Sequence, residues 1–136
     1  MSEKVKRPIT GRASIQVLRV PKRLLTLNEY IDIERGNRYA AAKAKKGQEM
    51  IIASYIKAQK IEPVTRPVIL EYTWTMKTKR MDKDNISFAQ KFIQDALVKT
   101  GILPNDGWND IVGFSHSFVH SKSILHDHVA VRIIEQ

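Results

Sequence analysis

Apolar and polar residues alternate most cleanly between Pro67 and Met76. Val68, Leu70, Tyr72, Trp74 and Met76 fall on one side of an extended chain, and Glu71, Thr73 and Thr75 fall on the other. This predicts a strand with one buried face and assigns Trp74 to the core rather than to a base-stacking surface. An earlier strand is predicted from Ala13, with Ile15 and Val17 on alternate positions and Val20 closing the run before Pro21. The period then lengthens. Thr26 stands three residues before Glu29, the spacing of a capping box, and a helix runs on through Tyr30, Ile31, Tyr39 and Ala40 to Ala42, with Gly36 and Gly47 as candidate breaks. Met50, Ile51, Ser54, Tyr55 and Ala58 extend it until Glu62 and Pro63 stop it. A second amphipathic helix, capped by Asp84 or Asn85, carries Ile86, Ala89, Ile93, Ala96 and Leu97 and ends near Gly101. Two more strands follow, Ile111 to Val119 and His128 to Ile134, with a turn over Ser121 to Ser123. The expectation is one α/β (α+β) domain over residues 13–136, of order β-α-β-α-β-β, with a mixed sheet of about four strands and two main helices.

Composition narrows the partner. The chain has 136 residues, 43% of them apolar, which suits one compact domain with a modest core. Lys and Arg number 23 against 14 Asp and Glu, a formal net charge of +9, and this favours an anionic partner such as nucleic acid. The charge is spread along the chain, so it argues for attraction to a phosphate backbone rather than for reading a base sequence. Cysteine is absent, which excludes disulfides, thiolate zinc sites and thiol catalysis. Lys4, Lys6, Arg7 and Arg12 surround Pro8 and Gly11 with no apolar segment behind them. Residues 1–12 are therefore expected to be a flexible basic arm, with no secretory signal or membrane span and a cytoplasmic, nucleoid-associated location.

The candidate chemistry lies in Lys79-Arg80-Met81-Asp82-Lys83-Asp84-Asn85, where two acids sit in a basic neighbourhood. Carboxylates there weaken phosphate binding unless they hold a cation that itself touches the phosphate. An extended chain through Asp84 would send both carboxylates to one side. The structural alternative is that Asp84 is a helix cap and that Asp82 pairs with Arg80. Lys91 follows Asp84 by two turns and leans back toward the helix N-terminus, so it is placed either to grip a phosphate or simply to face water. Asp106 lies in the turn Pro104-Asn105-Asp106-Gly107, where an Asp needs no function, and Asp95 and Asp110 are equally available acids. His126 and His128 share one strand face, but imidazole suits softer metals than the oxygen-bound Mg²⁺ of phosphodiester chemistry. Trp108 is either a base-stacking ring or an anchor for its loop.

The order Asp82-Lys83-Asp84-Asn85, Lys91, Asp95-Ala96-Leu97 and the Asn105-Asp106 turn resembles the RusA family of Holliday-junction resolvases, common in prophages. Leu27-Asn28-Glu29-Tyr30 also resembles the segment that follows the first strand in that family, and the likeness runs from about Ala13 to the C-terminus. The chain departs from the family in Met81, where a basic residue is common, in a longer spacer from Asp84 to Lys91, and in Asn105, where many members carry a second acid. The resemblance implies that Asp82, Asp84 and Asp106 bind Mg²⁺, with Mn²⁺ as a substitute. It makes Lys91 the catalytic lysine, Asp110 the fallback for Asp106, and Asp95 structural. Asn28, Lys79, Arg80 and Lys83 become candidate DNA contacts. The implied activity is paired symmetric nicking of a four-way DNA junction by a homodimer, in recombination and repair. A non-catalytic basic DNA- or RNA-binding protein is the rival expectation.

Overall fold

The computed structural model describes residues 14–136, so the basic arm expected over residues 1–12 lies outside the described residues. The strands are β1 (Ile15–Val20), β2 (Val68–Met76), β3 (Ile111–His120) and β4 (His128–Glu135). The helices are α1 (Leu27–Gly36), α2 (Arg38–Ala58), α3 (Lys83–Ser87) and α4 (Gln90–Lys99). The predicted order of elements holds, with each predicted helical stretch divided in two.

Thr26 caps α1 as a full capping box: its hydroxyl accepts from Glu29 N–H while the Glu29 carboxylate accepts from the Thr26 backbone N–H. Burial pushes the Glu29 carboxyl up, but the hydrogen bonds from Arg23 and Thr26 outweigh it and leave the pKa below the usual value. The chain breaks after Gly36 because Asn37, at φ −167°, turns extended and caps α2, accepting from Tyr39 N–H and Ala40 N–H. Gly47 does not break the helix: α2 runs straight through it. Gly101, at φ +81°, ends the α4 segment in the left-handed conformation that a glycine adopts at least cost.

The four strands form one mixed sheet of order β1-β4-β2-β3. β4 runs antiparallel to both β1 and β2, whereas β2 and β3 are parallel, with Val68 opposite Ile111 and Met76 opposite His120. A parallel pair requires a crossover, and α3 with α4 supplies it. On β2 the alternation is realised in full, Val68, Leu70, Tyr72, Trp74 and Met76 all being buried. They pack with Ile52 and Ile56 of α2 and Phe92, Ile93 and Leu97 of α4 in one core. On β1 the buried residues are Leu18 and Val20, so the alternating pair Ile15 and Val17 occupies the other face. Short strands with apolar residues on both faces leave that choice to the neighbouring layer.

Candidate active site

β2 ends at Met76, and the following turn is held by Asp127, whose carboxylate accepts from Lys77 N–H at 2.7 Å. Lys79 and Arg80 are exposed in that turn. The extended conformation that would have aligned the two acids stops at Asp82, which, in place of Asp84 or Asn85, is the N-cap of α3, at φ −69° and ψ 152°. Period-two spacing therefore does not orient the two acids. They belong instead to the start of one helical turn, Asp82 at its N-cap position and Asp84 in its first turn, where the helix dipole favours a carboxylate. The Asp82 side chain makes no cap hydrogen bond, and neither it nor Asp84 pairs with a cation among the described residues, so the Arg80 pair weighed from sequence does not form. Asp84 accepts from the adjacent Asn85 N–H, at 3.0 Å.

Asn85 ties this turn to α1: its Oδ1 accepts from Asn28 N–H at 2.9 Å. Asn28 thus lies beside the acids, through its backbone, and Leu27 next to it lines the groove described below. Lys83 points toward the edge strand, with Nζ 5.7 Å from the centre of the Phe118 ring.

The long spacer between Asp84 and Lys91 is accommodated by an interruption. Phe88 and Ala89 separate α3 from α4, so Asp84 and Lys91 do not share one continuous helical face. Lys91 reaches forward rather than back. Its Nζ is 3.9 Å from Asp95 Oδ2, which is also 3.2 Å from Lys45 Nζ of α2. The hydrogen bond that Lys45 donates to Asp95 raises the Lys45 pKa against the opposing effect of burial. Asp95 is thereby the structural link between the helices, while the Lys91 side chain stays 62% exposed and able to meet a ligand.

Asp84 and Lys91 nevertheless open into the same groove, about 350 Å³ in volume, with Phe88, Gln90, Gln94 and Phe114 among its walls. Sequence reasoning missed these wall residues. The signal for Gln90 and Gln94 was their spacing beside Lys91, and for Phe114 the alternation Phe114-His116-Phe118 along β3. Behind Gln90 sits His116, opposite Tyr72 in the β2–β3 register. Trp74 Nε1–H donates to His116 Nδ1 at 2.9 Å, so the imidazole proton is on Nε2, which donates to Gln90 Oε1 at 3.0 Å. Burial lowers the His116 pKa and keeps the ring neutral.

Asp106 comes from elsewhere in the sheet. It precedes Ile111, at the N-terminal end of the β2–β3 pair, whereas Asp82 follows Met76 at the C-terminal end. It is exposed, and its N–H donates to Asn105 Oδ1 at 2.8 Å. The fallback acid, Asp110, is used locally: its Oδ2 accepts from Gly107 N–H at 3.2 Å and its carbonyl from Val68 N–H at 2.9 Å. Trp108 is 92% exposed and anchors nothing by burial. His128 Nδ1 meets the His126 carbonyl at 3.3 Å, a local contact.

Aspartate oxygens are the donors a hard divalent cation takes. Among the described residues, no three His, Cys, Asp or Glu side chains are gathered where one ion could sit, so Asp82, Asp84 and Asp106 do not form a closed cage. Mg²⁺ is commonly held by one or two carboxylates, with waters and substrate phosphates completing the shell. Asp82 and Asp84, without an ion pair among the described residues and at one turn, fit that open arrangement; Asp106 does not add to it here. Also among the described residues, no helix is long and apolar enough to cross a membrane. No protein-family model matches the sequence, and no curated protein matches it.

Proposed function

We propose that this protein is a metal-dependent endodeoxyribonuclease that nicks branched DNA, with the four-way junction as its substrate. The observation that carries the chemistry is the shared groove of Asp84 and Lys91, with Asp82 two residues away and unpaired, in a chain of net charge +9. Asp84 has no ion-pair partner among the described residues, and Lys91, although it meets Asp95 at 3.9 Å, stays largely exposed, so both charges remain open to a ligand in one groove. The choice of branched DNA rests on the resemblance in motif order.

Asp82 and Asp84 would hold Mg²⁺, or Mn²⁺ in its place, with waters and a substrate phosphate completing the shell, and Asp106, at the other end of the β2–β3 pair, would stand outside it. When bound, the ion supplies Lewis-acid activation of water and charge neutralisation at the scissile phosphate. Lys91, exposed and steered by Asp95, binds a non-bridging oxygen of that phosphate. Lys79 and Arg80 of the turn and Lys83 at the start of α3 draw the backbone toward the groove. Paired nicks in a two-fold junction call for two sites facing opposed strands, which a C₂ homodimer provides.

One observation favours a second reading, a non-catalytic DNA-binding protein: the parallel β2–β3 register puts Asp106 at the opposite strand end from Asp82 and Asp84. A junction-cleavage assay with Mg²⁺ or EDTA, against a matched linear duplex and with Asp82→Asn alongside, separates the two. The nuclease gives symmetric, Mg²⁺-dependent nicks in the junction that Asp82→Asn abolishes while junction binding is kept or tightened. Tight binding with no cutting, indifferent to metal and to the substitution, would establish the binder.

A further inference from the structure

α2 carries a stripe that neither the core nor the groove uses. Its buried residues, Ala41, Glu49, Ile52 and Ile56, face the sheet and α4. At 3.6 residues per turn, Tyr39, Lys43, Lys46, Met50 and Lys57 fall within a band of about 60° on the opposite side. All five are exposed, Tyr39 by 87% and Met50 by 72%. The helix holds five cations, Arg38, Lys43, Lys45, Lys46 and Lys57, against one carboxylate, Glu49, which is buried and engaged by Lys45 and Lys99. No described carboxylate pairs with Lys43, Lys46 or Lys57.

The Lys45–Asp95–Lys91 bridge fixes where this stripe lies, because it clamps the N-terminal half of α2 against α4 beside the lysine of the groove. We propose that the outer face of α2 is the docking track for a duplex arm of the DNA whose branch point enters the groove. This rests on the reading that the partner is DNA, and it does not depend on cleavage. From Lys43 to Lys57 the helix rises about 21 Å, over which a duplex presents about a dozen phosphate charges, so all three lysines meet backbone at once. Long flexible lysines suit a track that must accept any sequence. A second copy of the chain is disfavoured as occupant, since two such stripes would repel.

The test uses the full chain and a Lys43→Gln/Lys46→Gln/Lys57→Gln variant, with Lys22→Gln/Lys122→Gln as a control for the general loss of charge at exposed positions. Binding of four-way junctions with short and with long arms is followed by fluorescence anisotropy across a salt series, and circular dichroism checks the fold. The track predicts a plot of log affinity against log salt that is shallower by about 2 to 3 in the triple variant, near 0.9 for each phosphate no longer neutralised. It also predicts that long arms improve binding by wild type far more than by the variant. A slope change per lysine no larger than in the control would make the stripe an ordinary solvated face and overturn the track. Wild-type binding to phosphatidylserine vesicles, lost in the triple variant while DNA binding is unchanged, would overturn it in favour of a lipid surface. If neither protein cuts the junction, the nuclease reading fails while the slopes still decide the track. If both cut at the same single-turnover rate under saturating protein, the stripe serves docking and not chemistry.

Discussion

His116 joins the core to the groove through two hydrogen bonds with fixed directions. Because Trp74 can only donate, the imidazole must accept at Nδ1, and protonating that nitrogen would remove the acceptor Trp74 relies on. Burial lowers the folded pKa from 6.5. Below 6.5 the unfolded chain binds a proton that the folded chain resists, so stability rises with pH in that window. The contribution is complete above 6.5 and is lost as pH falls from there through the folded value. Melting temperature measured against pH should show this loss in the wild type, and His116→Gln should flatten it. An unchanged profile in the variant would mean that other groups carry the acid sensitivity. Asp82 belongs to the same scale. Its carboxylate begins a helix without capping it, and so remains available to a ligand.

At the scale of elements, the joint between α1 and α3 positions the acids. The Asn85 side chain satisfies an N–H in the first turn of α1, one of the groups a helix cannot pair internally. Asn85→Ala should cost about 1 kcal/mol in urea unfolding and loosen α3 against α1. A loss much smaller than that would mean water replaces the side chain without penalty. α2 offers the opposite case. Gly47 sits inside a long helix, and a Cβ built there meets nothing within 4 Å, so the glycine supplies flexibility that the fold does not need. Gly47→Ala should stabilise the protein by about 0.5–1 kcal/mol, seen as a higher urea midpoint with an unchanged slope. The interruption at Phe88 and Ala89 belongs here too, since it absorbs the long Asp84–Lys91 spacer and still delivers both side chains to one groove.

At the scale of the whole molecule, the sheet joins distant parts of the chain. β4, the last strand, inserts between β1 and β2, so the first strand finds its partner at the far end of the sequence. Long-range pairing of this kind, with a parallel crossover added, delays the return on loop-closure entropy. Refolding should take roughly milliseconds to seconds rather than microseconds. Stopped-flow fluorescence of the buried Trp74, in a Trp108→Phe background to remove the exposed ring, measures it. A microsecond phase carrying the full amplitude would show that the outer strand docks after the event that buries Trp74.

The sequence by itself determined what depends on near neighbours. The β2 alternation, the Thr26 capping box and the stop at Gly101 are each decided by spacing or by a backbone conformation that one residue type permits. It also brought Asp82, Asp84 and Lys91 to notice as a motif, and with them the expectation of metal-dependent nuclease chemistry. Tertiary packing decided the rest. Which face of β1 is buried depends on the helices laid over it, and the direction of Lys91 depends on Asp95 and on Lys45 from another helix. Phe114 and Gln94 became walls of the groove only when the crossover set α4 against β3. The separation of Asp106 from the other two acids follows from the parallel β2–β3 register, which sends the two loops to opposite ends of the strands. Those are contacts between residues far apart along the chain, and local spacing carries no information about which distant segment will arrive.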